Sequence, residues 1–153
     1  MASGSGAHVT LLAFDYGLRR TGVATGETRA GLTRGVATLL PRAGETDWAG
    51  IAALIREWQP DLLVVGLPYN ADGTDSAMTR AARAFAEELA SRSALRVDTV
   101  DERHSSGEAQ ARLREQRSSG LRRRPVRRED IDREAARVIA RQWLHEHHHP
   151  GGD

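Results

Sequence analysis

The sequence predicts an α/β fold: a mixed five-stranded sheet, three antiparallel strands then parallel strands, with helices on both faces. Three observations carry that prediction. The chain opens with three short β-rich runs joined by tight turns, the pattern of an antiparallel meander. Strand-like and helical runs then alternate, which implies parallel strands with helical crossovers. Finally, the run from Asp61 to Gly66 (DLLVVG) is almost wholly apolar, as a strand covered on both faces must be.

Taken in order, His8 to Asp15 (HVTLLAFD) is apolar and β-branched and reads as a buried strand ending on an acid. Gly17 signals a turn. Thr21 to Gly26 and Leu32 to Leu40 are two further strands, with Gly26 and Gly31 bracketing the connection. Thr46 or Asp47 can cap a helix whose Ile51, Leu54, Ile55 and Trp58 share one stripe, and Pro60 stops it. After the Asp61–Gly66 strand comes a Gly-Leu-Pro-Tyr-Asn loop. Thr74 or Asp75 then caps a second helix with a core stripe of Met78, Ala82, Phe85 and Leu89. Leu95 to Val100 is the last strand and closes on Asp101 and Glu102. A third helix is expected from about Ser106 to Glu115, and a final one from about Asp130, with an arginine-rich loop between them.

A chain of 153 residues favours one core. Residues 1–7 are expected to be a disordered tail, without the basic start and apolar stretch of a signal peptide. Residues 8–145 form the single domain, with 117–128 a flexible arginine-rich loop, and 146–153 a disordered histidine-rich tail. No apolar run approaches the roughly 20 residues of a membrane span, and no cysteine is present for disulfides or thiolate metal sites. A soluble, cytoplasmic protein with no membrane partner is expected. The net charge of +1 hides an uneven distribution, because all 22 basic residues are arginine. Between Arg114 and Arg128 lie Arg117, Arg122, Arg123, Arg124 and Arg127, opposed only by Glu115. The guanidinium fork matches phosphate oxygens, although a run of arginines can equally be a solvated loop.

The placement of three acids is more telling. Asp15 ends the first strand and Glu102 the last, and functional residues of open α/β sheets gather at the carboxyl ends of strands. If those strands are near neighbours, their acids converge. Asp132 shares a helical face with Ala135, Ala136, Ile139 and Trp143, and an acid opening a buried stripe costs stability unless it is paired or bound to a cation. Asp130 lies about 200° around the helix from it and reads as a cap. Converging carboxylates need positive charge to coexist. Magnesium or manganese, both oxygen-seeking, can supply it, and two ions about 4 Å apart can activate a water and stabilise a leaving phosphodiester oxygen. Each acid also has a plainer reading: Asp15 as a turn residue, Glu102 as a partner of Arg103 or Arg19, Asp132 as a helix N-terminal acid favoured by the macrodipole.

Four motifs in order resemble one known family. Phe14-Asp15-Tyr16-Gly17 with Thr21-Gly22-Val23-Ala24, the stretch from Val65 to Thr74 (VGLPYNADGT), Asp101-Glu102-Arg103, and Ile131-Asp132 before Ala135-Ala136 resemble the YqgF/RuvX family. Its members are Holliday-junction resolvases, also described as nucleases that mature the 5′ end of pre-16S ribosomal RNA. The resemblance spans about His8 to Leu144. It implies a ribonuclease-H-like fold and makes Asp15, Glu102 and Asp132 the catalytic, metal-binding acids, with magnesium or manganese as cofactor, two ions in the expected case. Arg19 and Arg103 become candidate phosphate contacts, and Asn70 and Thr74 candidates for shaping the substrate edge. His104, where an apolar residue would be more usual, and the histidine tail at 145 and 147–149 depart from the pattern.

The function expected is therefore phosphodiester hydrolysis in structured or single-stranded nucleic acid. The substrate would be an RNA precursor, branched DNA or single-stranded DNA, with Arg122, Arg123, Arg124 and Arg127 gripping backbone phosphates. If about five arginines do so, log affinity should fall with log salt at a slope of roughly −3 to −4 on single strands. Symmetric cutting of a junction would need two sites, hence a homodimer. Two alternatives stand beside this reading. One is a non-catalytic nucleic-acid-binding module in ribosome assembly, which has no use for clustered acids. The other is an actin-like ATP-binding domain, suggested by Asp-Tyr-Gly with a following Thr-Gly, which needs two such domains.

Overall fold

The computed structural model describes residues 8–104 and 127–147. Strands β1 (Thr10–Asp15), β2 (Thr21–Glu27) and β3 (Thr33–Leu39) are followed by helix α1 (Trp48–Trp58), β4 (Leu62–Leu67), α2 (Ala77–Ser93) and β5 (Arg96–Asp101). A 3₁₀ turn (Glu102–His104) leaves β5, and helix α3 (Arg128–His147) completes the described chain. The helix expected from Ser106 to Glu115, and Arg122, Arg123 and Arg124, lie outside the described residues.

The strands form one sheet in the order β3-β2-β1-β4-β5. β1 is antiparallel to β2 and parallel to β4, which is in turn parallel to β5, so the mixed sheet is as the sequence predicts. Alternation along each strand sends side chains to two separate cores. Leu12, Phe14, Val23, Leu63 and Val65 meet Ile51 of α1 and Phe85 and Leu89 of α2. Leu11, Ala13, Leu62, Val64 and Val100 meet Ile139, Ala140, Trp143 and Leu144 of α3 on the opposite face. Helices thus cover both faces, which is why β1 and β4 lack polar alternation. Phe85 anchors the first core by stacking on Tyr16 at 4.6 Å and Trp48 at 5.5 Å.

Asp47 caps α1, its Oδ1 accepting from the Gly50 N–H at 2.9 Å. The cap of α2 is Ser76, not Thr74 or Asp75. Ser76 Oγ accepts from the Thr79 N–H at 3.0 Å, and Thr79 Oγ1 accepts from the Ser76 N–H at 2.9 Å. Thr74 and Asp75 are already engaged, Thr74 with Asp72 and Asp75 with Arg83. Helix α3 starts two residues before Asp130, whose Oδ2 accepts from the Arg127 N–H at 3.2 Å. It also continues two residues into the stretch expected to be tail, where His147 stacks on Trp143 at 4.5 Å. No helix among the described residues is long and apolar enough to cross a membrane.

Candidate active site

Asp15 is the last residue of the central strand, and parity puts it on the α3 face with Leu11 and Ala13. In register beside it on β2 is Gly22. On β4, Val65 pairs with Phe14, so the next position, Gly66, stands beside Asp15 on its other side. Both glycines make room for an acid. A Cβ at Gly22 would overlap the Asp132 carbonyl, and a Cβ at Gly66 would stand 2.8 Å from Cγ and Cδ of Glu102. Asp132 therefore comes down on the sheet over Gly22, and Glu102 lies across Gly66, with Asp15 between them.

β5 is not the neighbour of β1. β4 separates them, and the convergence read from strand ends depends on a glutamate long enough to cross a strand that carries no side chain at the crossing. Glu102 is 5% exposed. Part of Asp15 remains accessible, yet its carboxyl sits deep in the fold. Burial first, then the charge of Glu102, then that of Asp132, push the Asp15 carboxyl well above the usual carboxylate range.

Asp132 opens the buried stripe of Ala135, Ala136, Ile139 and Trp143, as its spacing predicts. It is held by Arg20, whose Nε donates to Asp132 Oδ2 at 2.8 Å with both side chains partly buried. Sequence reasoning missed Arg20 in favour of Arg19, which is exposed. Arg20 directly precedes β2, two positions before Gly22. Sequence reasoning also missed the spacing role of Gly22 and Gly66, although a glycine inside a strand run marks a close approach.

The oxygen donors of Asp15 and Glu102 are of the kind that suits a hard divalent cation. As the side chains stand, no three acids or histidines among the described residues gather closely enough to hold a metal ion.

Arg103 is gripped by Asp101, with Nη2 to Oδ2 at 2.6 Å and Nε to Oδ2 at 2.9 Å. Asn70 and Thr74 shape their own loop: Asn70 Nδ2 donates to Thr74 Oγ1 at 3.0 Å and Thr74 Oγ1 donates to Asp72 Oδ1 at 2.7 Å. Arg127 is exposed where α3 begins. His104 closes the turn after Glu102.

The family model described as RuvX, Holliday junction resolvase, matches residues 9–146. The chain belongs to the RuvX family. A relative in Burkholderia lata, named "Putative pre-16S rRNA nuclease", is 44% identical over 153 residues, covering 97% of this chain and 100% of the relative. A relative of the same name in Dechloromonas aromatica is 44% identical over 140 residues, 92% of this chain and 93% of its own. Among solved structures, Thermus thermophilus RuvC in complex with a Holliday junction substrate matches with a TM-score of 0.54 at 12% identity, over 91% of this chain and 97% of that one. The fowlpox virus Holliday junction resolvase matches with a TM-score of 0.53 at 10% identity, over 90% and 98%. At such identities the likeness is one of fold, and with the observed sheet it makes this RuvX-family chain ribonuclease-H-like.

Proposed function

We propose that this chain is a metal-dependent nuclease that hydrolyses phosphodiesters in nucleic acid, with the 5′ region of precursor 16S ribosomal RNA as its leading substrate. The observation that carries the reading is the placement of Asp132 over Gly22 and of Glu102 over Gly66, on either side of Asp15. A protein gains nothing in stability from crowding acids around a buried carboxylate. The arrangement makes sense if it is used.

Magnesium or manganese, two ions in the fullest form, would be held by Asp15, Glu102 and Asp132 and would supply the charge that polarises the phosphodiester and acidifies the attacking water. Asp15 lies between the other two and would hold the metal with them. Glu102 is fixed by burial and offers its carboxylate from the β5 side. Asp132 approaches from α3, with Arg20 orienting it through the Nε–Oδ2 hydrogen bond. Arg19, on the exposed turn after Asp15, and Arg122, Arg123, Arg124 and Arg127 supply phosphate contacts that position the strand without reading its sequence.

Full-length relatives named for ribosomal RNA maturation favour the RNA substrate, and a family described as junction resolvases keeps branched DNA as the other. A junction would require a homodimer to be cut symmetrically. The deciding experiment offers labelled single-stranded RNA, a ribosomal RNA stem with a 5′ overhang, and a four-way DNA junction, each with magnesium, manganese or chelator. Fastest metal-dependent cutting of the overhang supports RNA maturation. Faster paired cutting of the junction transfers the reading to resolution, and binding without cutting overturns the nuclease.

A further inference from the structure

Asp101, Glu102 and Arg103 serve two places at once. Glu102 turns over Gly66 towards Asp15, while Asp101 and Arg103 help wall a cavity of about 390 Å³ at the carboxyl ends of β4 and β5. Leu67, Tyr69, Gly73, Thr99 and Val100 complete its walls. The volume falls within the roughly 300–1,000 Å³ of small-ligand sites.

The cavity is held in shape by paired charges. The Arg83 and Arg103 guanidiniums each lie 6.0 Å from the Tyr69 ring centre. Arg83 donates to Asp75 Oδ2 at 2.8 Å and to the Tyr69 hydroxyl at 3.3 Å, which fixes the ring. Arg103 is locked to Asp101, and it lies against Gly73, where a Cβ would stand 3.1 Å from its Nη1. Gly73 has a φ of +89°, a backbone conformation that favours glycine.

Because each arginine is matched to its own aspartate, the cavity does not present the surplus positive charge that draws a phosphate. It presents the Tyr69 ring, the Arg103 guanidinium and the Thr99 hydroxyl. A nucleobase needs that combination: a flat surface to stack on, and an acceptor for its N–H groups.

We propose that this cavity receives a nucleobase adjacent to the scissile phosphate, stacked against Tyr69, and so sets which phosphate reaches Asp15. The proposal rests on the nuclease reading for the presence of a strand at the site, and it makes Arg103 part of a base pocket in place of a phosphate contact. Glu102 couples the two, being one residue from each of two cavity walls.

The test uses the full chain in chelator, so that nothing is cut, with single-stranded RNA and DNA oligonucleotides carrying one 5-iodopyrimidine at successive positions. Irradiation should crosslink one position preferentially to the Tyr69 peptide, read by mass spectrometry. In parallel, Tyr69→Ala should weaken binding by about tenfold, Tyr69→Phe should not, and an abasic nucleotide at the crosslinking position should cost wild type as much and Tyr69→Ala nothing further. Crosslinks only elsewhere, or affinity indifferent to both changes, overturn the proposal even if the protein cuts. A base-dependent Tyr69 contact in a protein that never cuts leaves the pocket standing and removes the nuclease. Absence of any binding removes both. If Tyr69→Ala misfolds, the crosslink on the wild-type chain decides.

Discussion

Glu102 lies across Gly66: a methyl group on that glycine would stand 2.8 Å from Cγ and Cδ of Glu102 and 2.6 Å from Cδ1 of Ile139. Glu102 belongs to the edge-strand side of the sheet and Asp15 to its centre. The bare backbone of β4 is what lets one carboxylate act on the other.

Gly66→Ala should therefore displace Glu102. Stability is expected to fall by about 1–3 kcal/mol, the usual cost of overpacking, and cutting should fall by more than the unfolded fraction explains. Gly26→Ala is the control on the same face. Its new Cβ would meet Ala140, Leu11 and Thr33 at an ordinary 3.5 Å, so urea melts and cleavage rates should both stay close to wild type.

Gly22→Ala should be worse. The obstacle is the backbone carbonyl of Asp132, which cannot rotate away as the end of a side chain can. The helix itself must lift, so stability should drop by about 3 kcal/mol or more, with α3 losing hydrogen-exchange protection before the strands do. A loss confined to activity, with α3 still protected, would contradict this packing.

Asp15→Asn should stabilise the metal-free protein. Burial and two neighbouring carboxylates raise the Asp15 carboxyl, so its charged form is a liability at neutral pH. The folded state binds this proton more tightly than the unfolded chain, whose value is about 3.9. Stability is thus lost as pH rises through the raised value and recovered as pH falls back through it. Thermal melts in chelator should show a higher Tm for the variant at neutral pH, with the gap closing as pH falls. Manganese should raise the Tm of wild type and leave that of the variant nearly unchanged.

Arg20→Gln should destabilise through Asp132 alone. The pair is partly buried and hydrogen-bonded, so a loss of about 1–2 kcal/mol is expected. In a double-mutant cycle with Asp132→Asn, the two losses should be clearly non-additive. Additive losses would mean that Arg20 acts elsewhere.

Much of this was legible in the residues. The apolar runs marked β1 and β4, and the stripe from Ala135 to Trp143 marked the buried face of α3. The same stripe singled out Asp132, because an acid stood where an apolar side chain was expected. Periodicity is local, however, and strand order is not. Nothing in the runs said that β4 would separate β1 from β5, so the meeting of Asp15 and Glu102 could be stated only as a condition. Gly22 and Gly66 were read within their motifs, but what they make room for is a long-range contact. Ser76 was passed over as a cap because Thr74 and Asp75 look equally suitable until their side chains are seen to be engaged in the loop.

The central claim is that the acids converging on Asp15 perform metal-dependent hydrolysis. The most direct measurement is the cleavage rate of a labelled ribosomal RNA stem with a 5′ overhang, with manganese and with chelator, by wild type and by Asp15→Asn shown to be folded by its melt. The account predicts cutting by wild type with metal, none with chelator, and none by the variant although it binds the strand as well. Equal cutting by wild type and the more stable variant, or cutting that survives chelation, would contradict it.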